Sequence, residues 1–335
     1  MQRESVLQEQ DLEELGIFRI PLPIPFRQAG GPVNVYVIEG EDGLLLFDTG
    51  LGTELSQRAL AEGLARAGHR FDEISRIVIS HGHVDHFGAA AWIQEQAGKP
   101  IPVMIHGADA DKVLESGAYW PELLSRNRDY LASLGVPLPV LEEAAEMIQQ
   151  NSGIGRRLAR VTPLTPGERF RCRRVTLEVQ HMPGHTPGVC CLYERQHRLF
   201  FSADHLLERV SPNPLMELSN PGSFKPLLTY FESLERVKSL AIDLVLPGHA
   251  EPFTAPLKVM ESLADFYLRR QARVLDTLKN GPLTVYEVMR ELFLSGSGFE
   301  LVLMMSEALG NLEALEHKGR VKRTVDGGLI RFHPV

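Results

Sequence analysis

The chain has 335 residues, 44% of them apolar and 23% charged, and a formal net charge of −8. That length suits one large domain or two ordinary ones. The composition is that of a soluble globular protein, and the negative balance leaves no global basic footprint for nucleic acid or a membrane surface. Cys172, Cys190 and Cys191 are odd in number and have no Cys-x-x-Cys spacing. They therefore read as neither a disulfide framework nor a structural zinc site, and they fit a reducing compartment. The N-terminal stretch MQRESVLQEQDLEELG has no apolar core of the signal-peptide kind. No apolar run approaches the roughly 20 residues of a membrane span, so the expected location is cytoplasmic, with no membrane.

In chain order, the proline-rich run from Gly16 to Pro25 suits an edge strand. Val33 to Glu39 and Leu44 to Asp48 are two strand-like runs around Gly40-Glu41-Asp42-Gly43, a hairpin signal. The second run ends in Asp48-Thr49-Gly50, where the carboxylate either points into a site or caps a turn. Glu54 to Ala67 has helical spacing. Ile74 to Ser80 is the next strand, and it delivers HGHVDHFGAA, residues 81–90, onto a loop before a helix over 89–97. Ligands gather at that edge of open α/β sheets. Three imidazoles and a carboxylate within His81 to His86 are donors that zinc or iron prefers.

Val103 to His106 is a short strand. Residues 108–160 then lose strand character and read as a helical insertion, either a lid over the site or a helix pair packed on the sheet edge. Strand signals return at 175–181, 189–194, 199–202 and 243–247, with a helix over 231–240. Three of these strands end in ligand-type side chains: His185 in a Pro/Gly loop, Asp204, and His249 in Pro247-Gly248-His249. A lone loop histidine is usually solvated, and a lone strand-end aspartate usually makes a turn. The shared context, a buried strand followed by a sharp turn and a ligand, is what sets these apart.

In that order, Asp48-Thr49-Gly50, His-x-His-x-Asp-His at 81–86, His185, Asp204 and His249 resemble the metallo-β-lactamase superfamily over roughly residues 17–255. The resemblance implies an α/β fold, a four-layer αββα sandwich. It implies two divalent metal ions, zinc, with iron or manganese as alternatives. His81, His83 and His185 would hold one ion. Asp85, His86 and His249 would hold the other, with Asp204 bridging. Asp48 would stand behind these ligands and steady the motif loop. The implied activity is a dinuclear hydrolase using a metal-bridging hydroxide, with Asp85 as the catalytic proton acceptor. His205, beside Asp204, is the further histidine with most claim to take part.

After residue 255 the sequence suggests helices over 256–279, 285–293 and 299–317. Thr284 and Glu287 stand at capping-box spacing, 295–298 forms a loop, and a hairpin turns at Asp326-Gly327. This resembles the winged-helix module of some superfamily members, including β-lactamase-like protein 2. The expected domains are therefore 1–255, catalytic with its insertion, and 256–335, winged-helix-like. Lys318, Arg320, Lys322 and Arg323 could face nucleic acid. Glu307, Glu313 and Glu316 on the candidate recognition helix would repel phosphates, which favours a packing or homodimerisation module.

Three functions are compatible with these residues to different degrees. The favoured one is hydrolysis of a small thioester, ester or lactone, as in glyoxalase II and the lactonases. The alternative is a nuclease of the RNase Z or β-lactamase-like protein 2 type, with Arg126, Arg128, Arg156, Arg157 and Arg160 as its basic channel. A binding module with a decayed site fits least, because every ligand position is filled. No substrate-binding residue is identifiable from sequence.

Overall fold

The computed structural model describes residues 9–150, 152–293, 296 and 298–335. The N-terminal stretch through residue 8 and half of the expected 295–298 loop lie outside them. A six-stranded sheet runs in order β1 (Ile17–Leu22), β2 (Val33–Gly40), β3 (Gly43–Phe47), β4 (Ile74–Val78), β5 (Val103–Ile105), β6 (Thr162–Pro163). Its first three strands are antiparallel and the rest join in parallel. The second sheet has β7 (Arg169–Arg171), β8 (Thr176–His181), β9 (Cys190–Glu194), β10 (Leu199–Ala203) and β11 (Leu244–Pro247), ordered β11-β10-β9-β8-β7.

Period-two alternation builds the layers. On β2, Val33, Val35 and Val37 face a core shared with the helices at Glu54–Arg66 and Ala90–Ala97, while Tyr36 and Ile38 face the other sheet. On β9, Cys190 and Leu192 turn inward. Cys191 and Tyr193 turn outward, onto the helices at Pro226–Lys238 and Pro256–Thr277. Helix, sheet, sheet, helix is the four-layer order. The Pro226 helix begins five residues before the expected 231, with proline at its first turn where a missing N–H costs nothing.

The insertion is helical as expected, but it packs otherwise than as a pair on the sheet edge. Tyr119, Leu123, Leu131 and Leu141 share one core with Val274, Val285, Leu301 and Leu312 of the tail. The tail consists of Pro256–Thr277, Val285–Leu292 and Phe299–His317, with a three-stranded sheet β12 (Leu283–Thr284), β14 (Leu329–Pro334), β13 (Val321–Asp326). Helix 299–317 is not an exposed recognition surface. Residues 305–315 along it are all buried, Glu307 lies 3.3 Å from Arg270, and Glu313 pairs with Lys225. Those acids are spent inside the fold rather than aimed at solvent. Among the described residues no helix is long and apolar enough to cross a membrane.

Candidate metal centre

The parallel pairs β3–β4 and β10–β11 bring four strand ends to one edge of the sandwich, and main-chain bonds lock the loops there. Cys190 N donates to Ser80 O at 2.8 Å, Asn34 N to Gly248 O at 2.7 Å and Thr49 N to His86 O at 2.7 Å. Five non-glycine residues among those described have positive φ. Three of them, Asp48 (65°), Ala203 (46°) and Ala250 (63°), border this edge. Backbone strain of that sort persists where surrounding structure over-determines it, commonly at functional sites. Gly248 has no room for a side chain, since a Cβ there would lie 2.3 Å from Asp204 Oδ1. Residues Val84–Phe87 of the motif form one helical turn rather than open loop, with His83 as its N-cap.

All seven expected ligand residues converge. Three sets have ligand atoms lying within 4.8 Å of one another: His81, His83 and His185; His81, His86 and Asp204; and Asp85, His86 and His249. His83 Nδ1 is 3.0 Å from His81 Nε2 and 2.9 Å from His185 Nε2. Asp204 stands between the two halves. Its Oδ1 is 3.5 Å from His86 Nε2, and its Oδ2 is 3.4 Å from His249 Nε2 and 3.7 Å from His185 Nε2. Asp85 Oδ2 is 3.4 Å from His249 Nε2.

The hydrogen bonds behind these rings fix their tautomers. His86 Nδ1 donates to Asp48 Oδ2 at 2.8 Å, and His185 Nδ1 donates to the Asn213 carbonyl at 2.8 Å. Asp48 also accepts from Ser80 N at 2.7 Å and Ser80 Oγ at 2.8 Å, and that hydroxyl sits 2.9 Å from His81 Nδ1. A proton held at Nδ1 leaves an Nε2 lone pair facing inward. Asp48 thus ties the end of β3 to Ser80 and His86 of the motif loop through its side chain. Ser80 and Asn213 were not foreseen. Ser80 adjoins the motif, whereas a backbone acceptor such as Asn213 O carries no residue-type signal.

Charge completes the fit to divalent cations. Burial, reinforced by neighbouring imidazoles, pushes His81 well below the usual histidine range and His83 down to about 3. Burial also lowers His185. Burial would depress His86 and His249 too, but Asp204 and the neighbouring carboxylates outweigh it, raising His86 well above its ordinary range and His249 to about 10. The three-histidine side therefore offers neutral imidazoles, and the carboxylate side draws in positive charge. His86 Nε2 and Asp204 Oδ1, both turned into the cluster, are buried without a hydrogen-bond partner. Close lone pairs with carboxylates beside them suit a cation better than protons alone.

His205 is buried but belongs to none of the ligand sets. Its ring packs edge-on against Tyr230 at 5.2 Å. Of the five candidate channel arginines, Arg126, Arg128 and Arg156 pair with Glu122, Glu142 and Glu95, and none of the five lines the cavity over the cluster. That cavity is about 620 Å³. Its floor includes His83, Asp85 and His249, and its walls include Trp120 and Ile148 of the insertion and Phe299 of the tail.

Comparison with known proteins agrees with this geometry. The description "Metallo-beta-lactamase superfamily" matches residues 29–249. The chain is 30% identical to a probable metallo-hydrolase, YqjP, of Bacillus subtilis, over 94% of this chain and 97% of that protein. It is 26% identical to the acyl-coenzyme A thioesterase MBLAC2 of Gallus gallus, over 69% of this chain and 76% of that one. A metallo-beta-lactamase family protein of Thermus thermophilus superposes with a TM-score of 0.79 at 26% identity, over 96% of this chain and 99% of the other. Seven convergent ligand residues, the αββα layers and a match over most of the chain lead to one assignment: this protein belongs to the metallo-β-lactamase superfamily and is a hydrolase.

Proposed function

We propose that the protein hydrolyses thioesters whose acyl part is aliphatic, with two divalent ions held by the seven-residue cluster. The observation that carries this reading is the apolar cavity of about 620 Å³ seated directly on the cluster. Phe26, Trp120, Ile148, Phe299 and Leu303 line it, and they offer an acyl chain a dry wall at the reacting carbonyl. A second cavity of similar size shares Gln28, Asn213 and Leu303 with the first, and Arg209, Arg269 and Arg270 line it. Together they suit a substrate with an apolar end and a larger polar end. A relative named as an acyl-coenzyme A thioesterase supports the reading.

Two divalent ions held by these residues would supply Lewis acidity and an activated water. The chain's own groups do the rest. His81, His83 and His185 present neutral nitrogens, His86 and His249 would give up a proton as an ion binds, and Asp48 and Asn213 keep His86 and His185 turned inward. Asp85 lies at the cavity floor with its carboxylate held well below the ordinary range. Burial opposes that shift, and His86 and His249 outweigh it. It can accept the proton of an attacking water at its carboxylate oxygen. The apolar walls exclude bulk water from the acyl carbon.

The nuclease reading lacks a comparable observation, since the candidate arginines lie away from the cavity. A metal-loaded screen of a long-chain acyl thioester, a short thioester, a lactone, an alkyl sulfate, a phosphodiester and a β-lactam tests the proposal. The long-chain thioester should give the highest kcat/KM. Preference for the phosphodiester, or no thioester turnover at any metal loading, contradicts it.

A further inference from the structure

Beyond the ligands, one buried ion pair touches both ligand loops. Asp109 and Lys112 follow β5, with Lys112 Nζ 2.6 Å from Asp109 Oδ1 and side chains 3% and 0% exposed. Asp109 Oδ2 accepts from Gly82 N at 3.0 Å, between His81 and His83, and from Thr186 Oγ1 at 2.5 Å, next to His185. The surrounding glycines make room for the pair. A Cβ at Gly82 would lie 2.6 Å from Lys112 Cδ, and a Cβ at Gly188 would lie 2.7 Å from Asp109 Cγ. Buried ion pairs are weak net contributors to stability, because desolvation offsets much of their attraction. Their better-attested role is to specify one arrangement, and here a single carboxylate spans two loops that must meet.

We propose that Asp109 is a positioning residue for the three-histidine half of the centre. It ties the Gly82 amide to the Thr186 hydroxyl, so that His81 and His83 from one loop and His185 from another bring their nitrogens to a single point. Lys112 keeps the carboxylate ionised and fills its other oxygen. The inference rests on reading those three histidines as metal ligands.

The test is titration of the metal-free protein with cobalt(II), followed by visible absorption and competition with a chelator, for wild type, Asp109→Asn, Thr186→Val and Thr186→Ser. Wild type should bind two ions per chain. Thr186→Val should lose about 10- to 100-fold in affinity for one ion and keep the other within about twofold, the range expected when a group behind a metal ligand is removed. Thr186→Ser should restore wild-type binding, and Asp109→Asn should lose at least as much as Thr186→Val. The metal-free melting temperature of Thr186→Val should stay close to wild type, which makes this variant decisive even if Asp109→Asn fails to fold. Wild-type affinity for both ions in Thr186→Val would overturn the positioning role. So would equal loss at both ions with a collapsed metal-free melting temperature, the signature of a merely structural contact. A wild-type chain that binds no cobalt would instead overturn the ligand reading beneath it.

Discussion

At the scale of single residues the centre is a problem of lone pairs and charge. Asp48 reaches three groups at once, Ser80 N, Ser80 Oγ and His86 Nδ1, from a left-handed backbone position. One carboxylate so placed sets the orientation of His86 directly and of His81 through the serine. The seven clustered residues were legible in sequence because each follows a strand among turn residues, in an order that resembles the superfamily's. Asp109 and Lys112 were not, although Val103-Met104-Ile105 also ends in a ligand-type cluster, because their work is done through backbone and hydroxyl partners that no spacing reveals. On the proposed function Asp85 is both a ligand and a base. Replacing it by Asn should cut kcat by at least about 100-fold, the lower end of what a positioned general base contributes, and should also weaken binding of one metal ion. Steady-state kinetics together with metal content checks this, and full activity at full metal content would remove Asp85 from both roles.

At the scale of elements, local chemistry was readable and partners were not. Thr284 caps its helix as its spacing implies. Glu287 N donates to Thr284 Oγ1 at 3.2 Å, and Thr284 N donates to Glu287 Oε2 at 2.7 Å. Helix 299–317 has the bounds expected of it, yet Glu307 and Glu313 on it face inward, because amphipathic spacing cannot say which of two crowded faces meets solvent. The helix also touches the centre at one remove. Asn213 Nδ2 donates to Leu303 O at 2.9 Å, and Asn213 O holds His185. The insertion meets the same helix at the cavity wall, where the Trp120 and Phe299 rings lie 5.3 Å apart and nearly perpendicular. Trp120→Ala should raise KM for a long-chain thioester about tenfold and barely change that for a short one, the size of effect expected from apolar contacts to a few methylenes. Equal KM changes for both substrates would detach Trp120 from acyl recognition.

At the scale of the whole molecule, four cores hold the fold: one under each outer helix layer, one between the sheets, and one that joins the insertion to the tail. Strand alternation made the four layers foreseeable, because period two assigns each side chain to a face. The union of insertion and tail was not, since either could bury its apolar face on the sheet. The centre itself also bridges the two sheets, with His81 to His86 from one and Asp204 and His249 from the other. Ions that bind only the folded arrangement should therefore stabilise the entire sandwich by linkage. Chelation should lower the melting temperature in one cooperative transition, and re-addition of zinc should restore it. A melting temperature indifferent to chelation, in protein shown to have lost its metal, would contradict this coupling.

The proposed two-ion centre lies between the two sheets. Anomalous X-ray diffraction from metal-loaded crystals, collected at the absorption edge of the metal used, tests it most directly. The predicted result is two peaks about 3.5–4 Å apart, one among His81, His83 and His185 and one among Asp85, His86 and His249, with Asp204 between them. A single peak, or metal lodged away from these seven residues, would contradict it.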